Sequence, residues 1–449
     1  MVEDHSQFLA HWAEKGIRDA VLINIDTHDD IRWIPENKID VLRDIYKRGD
    51  WKQFRTVDGF TDSSLYHIGN WIYAGSRLGM FREIYWVVPY NGLTKDDSEL
   101  NMRQILTQYE FSDQEIQTFS VINRRFRGSF HGIPLTVCDI DSLPDINSPL
   151  LLSIDTDFFP PYSATHEKSY LPALHAVFQA LYNKKYQLLD AAVCYSINNN
   201  YLPTHLRWIG DAIGMILEQP ALINDQPTEL LALLQQLDND YRGTDAEQIL
   251  HLIESWQARY PNPSLQAYKA LAYTLQNDPE GAYQAALASC NRDKHYCTLL
   301  PYIGNYYYSE KRYTVAERFF MAGFTVDPNM ANGLIQYGHC LRQMGRVKEA
   351  MSWYIKEETI NGLFPTRFLI AEMQLLLRDK TTAADSIAKV VQSMTNNRYA
   401  QIVSSEIANA VYVALDFCDK EGFDDLSRAL RGNPAVAQMF KKYPRQSIH

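Results

Sequence analysis

Short apolar runs alternate with amphipathic segments over the first half of the chain, and then the alternation stops. VLINI (21–25), EIYWVVP (83–89), FSVI (119–122), LTVCDI (135–140), LLLSIDTDFF (150–159) and DAAVCYSI (190–197) predict strands. SQFLAHWAEKG (6–16), DSELNMRQILTQYE (97–110) and LPALHAVFQALYNKK (171–185) carry the apolar spacing of helices. Strands that are apolar throughout, separated by helices, belong in a mostly parallel sheet covered on both faces. The predicted fold class for about the first 215 residues is α/β, a three-layer αβα sandwich.

From about residue 220 the strand signal is gone. TELLALLQQLDND (228–240) and DAEQILHLIESWQARY (245–260) read as amphipathic helices ending at Pro261-Asn262-Pro263. An internal repeat follows: Gly304 and Gly338 lie 34 residues apart, as do Ala316 and Ala350, and Phe320 and Tyr354. Leu300, Ile303, Gly304 and Tyr307 recur as Leu334, Tyr337, Gly338 and Leu341, and Pro328 closes the first unit. A weaker unit precedes it (Ala270, Tyr273, Ala282) and a degraded one follows around Ala384. Small residues let paired helices approach and aromatic residues fill the gaps, a period and pattern that resemble the tetratricopeptide repeat. The expected organisation is the α/β domain over 1–220, a helical linker over 221–262 and an all-α, tetratricopeptide-like solenoid over 263–449. Such a solenoid serves peptide capture or dimerisation.

The chain has 449 residues with ordinary apolar (46%) and charged (22%) content, enough for two or three domains. A net charge of −11 argues against nucleic acid as a partner. Six scattered cysteines (138, 194, 290, 297, 340, 418) include no CxxC pair and are expected to be free thiols in a reducing cytoplasm. MVEDHSQF is too acidic and polar for a signal peptide, and no apolar run approaches a membrane span.

Candidate chemistry sits at two strand ends. After VLINI come Asp26, His28, Asp29 and Asp30. In an extended chain Asp26, His28 and Asp30 share one face at the carboxyl end of the strand, where open α/β sheets bind ligands, and Asp29 faces away. LLLSIDTDFF repeats the design with Ser153, Asp155 and Asp157. Buried charge needs compensation, and clustered carboxylates with few imidazoles and no thiolate favour Mn²⁺ or another hard divalent ion.

DxHxD followed by SxDxD resembles the signature of the arginase-like ureohydrolases. Their third element, a Gly-Asp-His-Ser stretch, has its counterpart here in Glu3-Asp4-His5-Ser6, and His5 precedes Asp26 by 21 residues. The resemblance implies a sheet of arginase and deacetylase type and two Mn²⁺ ions. By it His5 and Asp30 hold one ion, His28 and Asp157 the other, and Asp26 and Asp155 bridge both. The chain departs from the family pattern at several points. The glycines before Asp4 are missing, Pro160-Pro161 replaces the last aspartate of SxDxDxxDP, and the first strand is absent or very short. CYSINNNYLP (194–203) offers no counterpart of the glutamate that grips guanidinium. These departures, with SLYHIGNWIYAG (64–75), resemble a divergent branch that includes peptide arginases. His67 is then the candidate proton donor, with His131 and His205 as lesser ones. Metallophosphoesterases also begin with DxH, but their GDxxD block is absent and Gly69-Asn70 is followed by Trp71.

The resemblance implies hydrolysis of arginine residues in a peptide, such as a ribosomally made precursor with a leader, to ornithine and urea. Asp30 would accept a proton and His67 would protonate the leaving amine. Two alternatives stay open: a ureohydrolase or amidohydrolase of free agmatine-like or amide substrates, and a scaffold whose hydrolase domain is inactive.

Overall fold

The computed structural model of the chain describes residues 1–61, 63–90, 103, 106, 111–198, 201–223, 225, 227–328, 330–362, 366–396 and 404–444. The predicted helix over 97–110 lies outside the described residues except at Arg103 and Leu106.

Seven strands form one sheet: β1 (Ala20–Ile25), β2 (Phe81–Val87), β3 (Ser120–Ile122), β4 (Arg125–Phe130), β5 (Ile133–Cys138), β6 (Leu150–Asp155) and β7 (Leu188–Cys194). Their order is β3-β4-β5-β2-β1-β6-β7. The five strands from β5 to β7 pair in parallel, and β3 and β4 are antiparallel additions at one edge. Every residue of β1 and β6 is buried, so both faces of the sheet's centre are covered, as their unbroken apolar runs require. The fold is α/β with a mostly parallel sheet, followed by a long all-helical region.

β4 was not predicted, because RFRGSF carries two arginines and a glycine. Its burial alternates, as suits an antiparallel strand with one solvated face. Gly128 is required there because a Cβ would lie 2.4 Å from the Phe119 ring.

Helices Glu229–Arg242, Ala246–Trp256, Pro263–Leu275 and Pro279–Arg292 follow the sheet. Asn262, expected to end a helix, caps the next one, its side chain accepting from Ser264 N–H, with Pro263 in the first turn. By compactness the chain divides later than the strand-to-helix change. One unit comprises Met1–Gly59 with Ser63–Leu299, the other Phe60–Asp62 with Leu300–His449. The reason lies in buried polar contacts. Trp208 Nε1 donates to Tyr268 Oη at 3.2 Å, and the Thr204 and Thr298 hydroxyls meet at 2.7 Å, tying these helices to the sheet-bearing unit.

Cys290 and Cys297 are joined in a disulfide, contrary to the expectation of free thiols. The helix stops at Arg292, and Asp293 accepts from His295 N–H to start a 3₁₀ turn (Lys294–Thr298) that doubles back, leaving the two Cα atoms 4.6 Å apart. The cysteines therefore give no argument for a reducing compartment. Cys138, Cys194, Cys340 and Cys418 are free and buried. Among the described residues no helix is long and apolar enough to cross a membrane.

In the second unit the 34-residue spacing corresponds to helix pairs, Leu299–Ser309 with Tyr313–Val326 and Leu334–Gln343 with Val347–Asn361. The repeated glycines mark close approaches. A Cβ on Gly304 would lie 3.3 Å from the Ala316 carbonyl oxygen, and one on Gly338 would lie 2.3 Å from the Tyr354 ring. Ala316 and Ala350 are buried, and Phe320 stacks on Tyr337 at 5.5 Å between successive pairs. The weaker unit at Ala270 and Ala282 forms a helix pair too, within the first compact unit.

Candidate metal centre

His5 is placed by the sheet edge. Val2 bridges to Cys194 at the end of β7, donating to Val193 O and accepting from Tyr195 N–H, each at 3.0 Å. This single bridge stands where the family pattern has a first strand, which was expected here to be absent or very short. Arg207 clamps Glu3 with two hydrogen bonds (2.8 and 2.6 Å) and stacks on Tyr195, 3.6 Å from the ring centroid. The turn after Glu3 drops the buried His5 imidazole over the strand ends. Its Nδ1 lies 3.0 Å from Asp30 Oδ2, 3.1 Å from Asp26 Oδ2 and 3.4 Å from Asp155 Oδ2.

The acids converge, but not by strand alternation. β1 ends at Ile25 and no strand runs through 26–30. Asp26 Oδ1 accepts from His28 N–H at 2.7 Å, and Asp155 Oδ1 accepts from Asp157 N–H at 2.9 Å. At the end of β6 and just past the end of β1 an aspartate thus folds the chain back on its own side chain, turning residue i+2 toward residue i. Asp30 then adopts the left-handed conformation (φ 52°), and Trp71 Nε1 donates to its Oδ2 at 2.7 Å. Trp86 Nε1 holds the Asp26 carbonyl at 3.0 Å.

Donor atoms fall into groups whose members lie within 4.8 Å of one another: His5, Asp26 and Asp30; Asp26, His28 and Asp157; and His5, Asp155 and Cys194. Asp26 belongs to two of them, the bridging place expected for it. Asp155, also expected to bridge, groups instead with His5 and Cys194. Its two oxygens are engaged by Asp157 N–H and by Ser196 Oγ, the latter at 2.6 Å.

Electrostatically the cluster is under-compensated. Burial raises the pKa of Asp155, and Asp157 beside it adds to the shift. Burial and the Asp26 charge likewise raise Asp30 and Asp157. Burial opposes charge on Asp26, yet His5 and the bond from His28 hold it below the usual range. Burial also opposes charge on His5 and His28, and it is outweighed by Asp155 and Asp26 around His5 and by Asp157 and Asp26 around His28. Asp157 Oδ1 is buried with no hydrogen-bond partner. Four carboxylates against two imidazoles, one carboxylate oxygen left unpaired, is donor chemistry that fits divalent cations. The His28 side chain is 37% exposed, whereas those of His5, Asp26, Asp30, Asp155 and Asp157 are at most 8% exposed, so the cluster is approached from the His28 side. The Tyr201 ring meets His28 edge-on there at 5.2 Å.

His67 lies just before the helix Trp71–Arg77, its carbonyl accepting from Asn70 N–H. Gly69 N–H donates to its Nδ1 at 3.1 Å, and burial, with Arg32 and Lys38 nearby, pushes its pKa down to about 3. His205 is a core residue, packed edge-on against Tyr241 and Tyr268. His131 sits in a tight turn, 3.6 Å from Glu115 and against Tyr73. Asp29, set aside as facing away, is buried, its Oδ2 lacks a partner, and burial pushes it up to about 7.

Cys194, Ser196 and the indole of Trp71 escaped the reading of the sequence. Cys194 ends an apolar strand, as Ile25 and Asp155 do, and pairs with Asp155 in register. A rule that every parallel strand end contributes to the site would have included it. In CYSINNNYLP, Asn199 and Asn200 lie outside the described residues.

No known family model matches the chain, and no curated protein matches it. Among solved structures it is similar to pilF of Pseudomonas aeruginosa, with 15% identity over 48% of this chain and 92% of that chain and a TM-score of 0.32. At that score the likeness decides neither fold nor function.

Proposed function

We propose that this chain is a binuclear metal-dependent hydrolase, resembling the arginase-like enzymes, that cleaves the guanidinium of arginine residues in a peptide to ornithine and urea. The carrying observation is the sharing of Asp26 between two buried donor groups, one with His5 and Asp30 and the other with His28 and Asp157. Two Mn²⁺ ions held there would supply Lewis acidity and a water of lowered pKa. Asp30, fixed by Trp71, takes the proton released as the guanidinium carbon becomes tetrahedral. That proton has to reach the leaving nitrogen of ornithine, and His67 is the candidate that delivers it. His28 and the exposed Tyr201 beside it form the side from which an arginine side chain enters. The tetratricopeptide-like helical unit then serves to hold the flanking or leader segment of the peptide, or to pair two copies.

The test is incubation with Mn²⁺ and arginine-containing peptides, beside free arginine and agmatine, read by mass spectrometry and urea assay. An arginine-to-ornithine mass decrease with urea release supports the proposal. Turnover of the free compounds alone assigns the site to a small-molecule ureohydrolase. Inertness towards all of them assigns the chain to a helical scaffold with an inactive hydrolase domain.

A further inference from the structure

Cys194 is the donor that the proposed reaction leaves unused. It is the last residue of β7 and pairs in register with Asp155, the last residue of β6. In neighbouring parallel strands such partners project on the same side of the sheet. His5 descends on the same point from the Val2 bridge, so three elements deliver one nitrogen, one oxygen and one sulfur within 4.8 Å of one another. Among the described residues no other cysteine joins such a group.

The thiol is poorly used by the protein itself. Its Sγ lies 3.3 Å from the Glu3 carbonyl oxygen and 3.5 Å from Ser196 Oγ, weak contacts that a rotation about χ1 gives up cheaply. A residue needed only for packing would serve as well as valine or alanine, which fill Val193 and Ala192 before it.

We propose that Cys194 is a sulfur ligand to the ion held by His5, so that this pole, where His5 Nδ1 lies within 3.4 Å of Asp26, Asp30 and Asp155, takes a borderline divalent ion such as Zn²⁺, Fe²⁺ or Co²⁺, while the Asp26, His28 and Asp157 pole takes a hard one. This inference rests on the metal-hydrolase reading and sharpens it, since two Mn²⁺ ions become a mixed pair. Thiolate ligands select softer ions, and carboxylates select Mn²⁺ or Mg²⁺. Binding replaces the Sγ–H bond by a sulfur–metal bond, and the proton leaves to the buffer.

The probe is Co²⁺ added to the full-length protein, followed by absorption spectroscopy. Visible d–d bands report uptake, and a near-ultraviolet thiolate-to-cobalt charge-transfer band reports sulfur. Wild type is expected to show both, Cys194→Ser and Cys194→Ala the d–d bands alone, and Cys138→Ser both. In competition, Cys194→Ser is expected to lower the preference for Zn²⁺ over Mn²⁺ by more than about tenfold, the least that loss of even a supporting outer group costs. Should both Cys194 variants fail to fold, X-ray absorption of Zn²⁺-loaded wild type still decides, with a sulfur scatterer expected at about 2.3 Å. Wild-type d–d bands without the charge-transfer band, a band that survives in Cys194→Ser, or an absorption spectrum without sulfur overturns the assignment and leaves the metal centre standing. No Co²⁺ uptake at all overturns both.

Discussion

Asp26→Asn separates a shared ligand from two independent ones. Asp26 stands in both donor groups, whereas Asp157 stands only in the one with His28. The substituted amide keeps an Oδ1 able to accept the His28 N–H, so the turn after β1 has its hydrogen bond while the charge is gone. An ion that binds only the folded state adds about 2.7 kcal/mol at a concentration of 100 times its Kd. Two ions therefore add about 5 kcal/mol to wild type, Asp157→Asn retains about half of that, and Asp26→Asn retains almost none. At roughly 2 °C per kcal/mol, a melting temperature read through tryptophan emission should rise by about 10 °C, about 5 °C and barely at all. Trp71 and Trp86 touch the cluster and should report its melting. A full Mn²⁺ shift in Asp26→Asn would refute the shared-ligand reasoning. So would a complete loss in Asp157→Asn alongside a partial one in Asp26→Asn.

Three further outcomes follow from the same geometry. Trp71→Phe removes the indole donor to Asp30 and should weaken Mn²⁺ binding about 10- to 100-fold by calorimetry, with the fold intact by circular dichroism. His205 has a folded pKa lowered from 6.5 to about 3 by burial. Below pH 6.5 the unfolded chain binds a proton that the folded chain refuses, so its contribution is complete above that pH and is lost towards pH 3 at about 1.4 kcal/mol per pH unit. His205→Phe should flatten the acid limb of a urea-stability profile by one proton. Gly338→Val would force a side chain into the Tyr354 ring and should destabilise the helical unit by about 1–3 kcal/mol in urea unfolding.

How much was legible in the chain depended on how local the cause was. β1 and β6 announced themselves because strands buried on both faces must be apolar throughout, and the 34-residue period followed from glycines that face rings and carbonyls. β4 was hidden because its one solvated face admits arginines. The six expected ligands do come together, since residue types alone betray costly buried charge. The means were misjudged: Asp26 and Asp155 bend the chain by accepting the amide two residues on, and Asp30 turns left-handed, where an extended strand had been assumed. Long-range pairing accounts for the rest. Nothing near Cys194 in the chain marks it out until the β6–β7 register sets it beside Asp155. Likewise, the Cys290–Cys297 bridge depends on a helix stop at Arg292 that helical periodicity did not foretell.

Asp26 belongs to two donor groups, and the proposed function requires a cation in each. Anomalous diffraction at the manganese edge from crystals soaked in Mn²⁺ tests it without reference to any substrate. Two peaks are expected, one on each side of the Asp26 carboxylate, the first beside His5 and Asp30 and the second beside His28 and Asp157. A single peak bound by only one of these groups, or no peak within reach of Asp26, would contradict it.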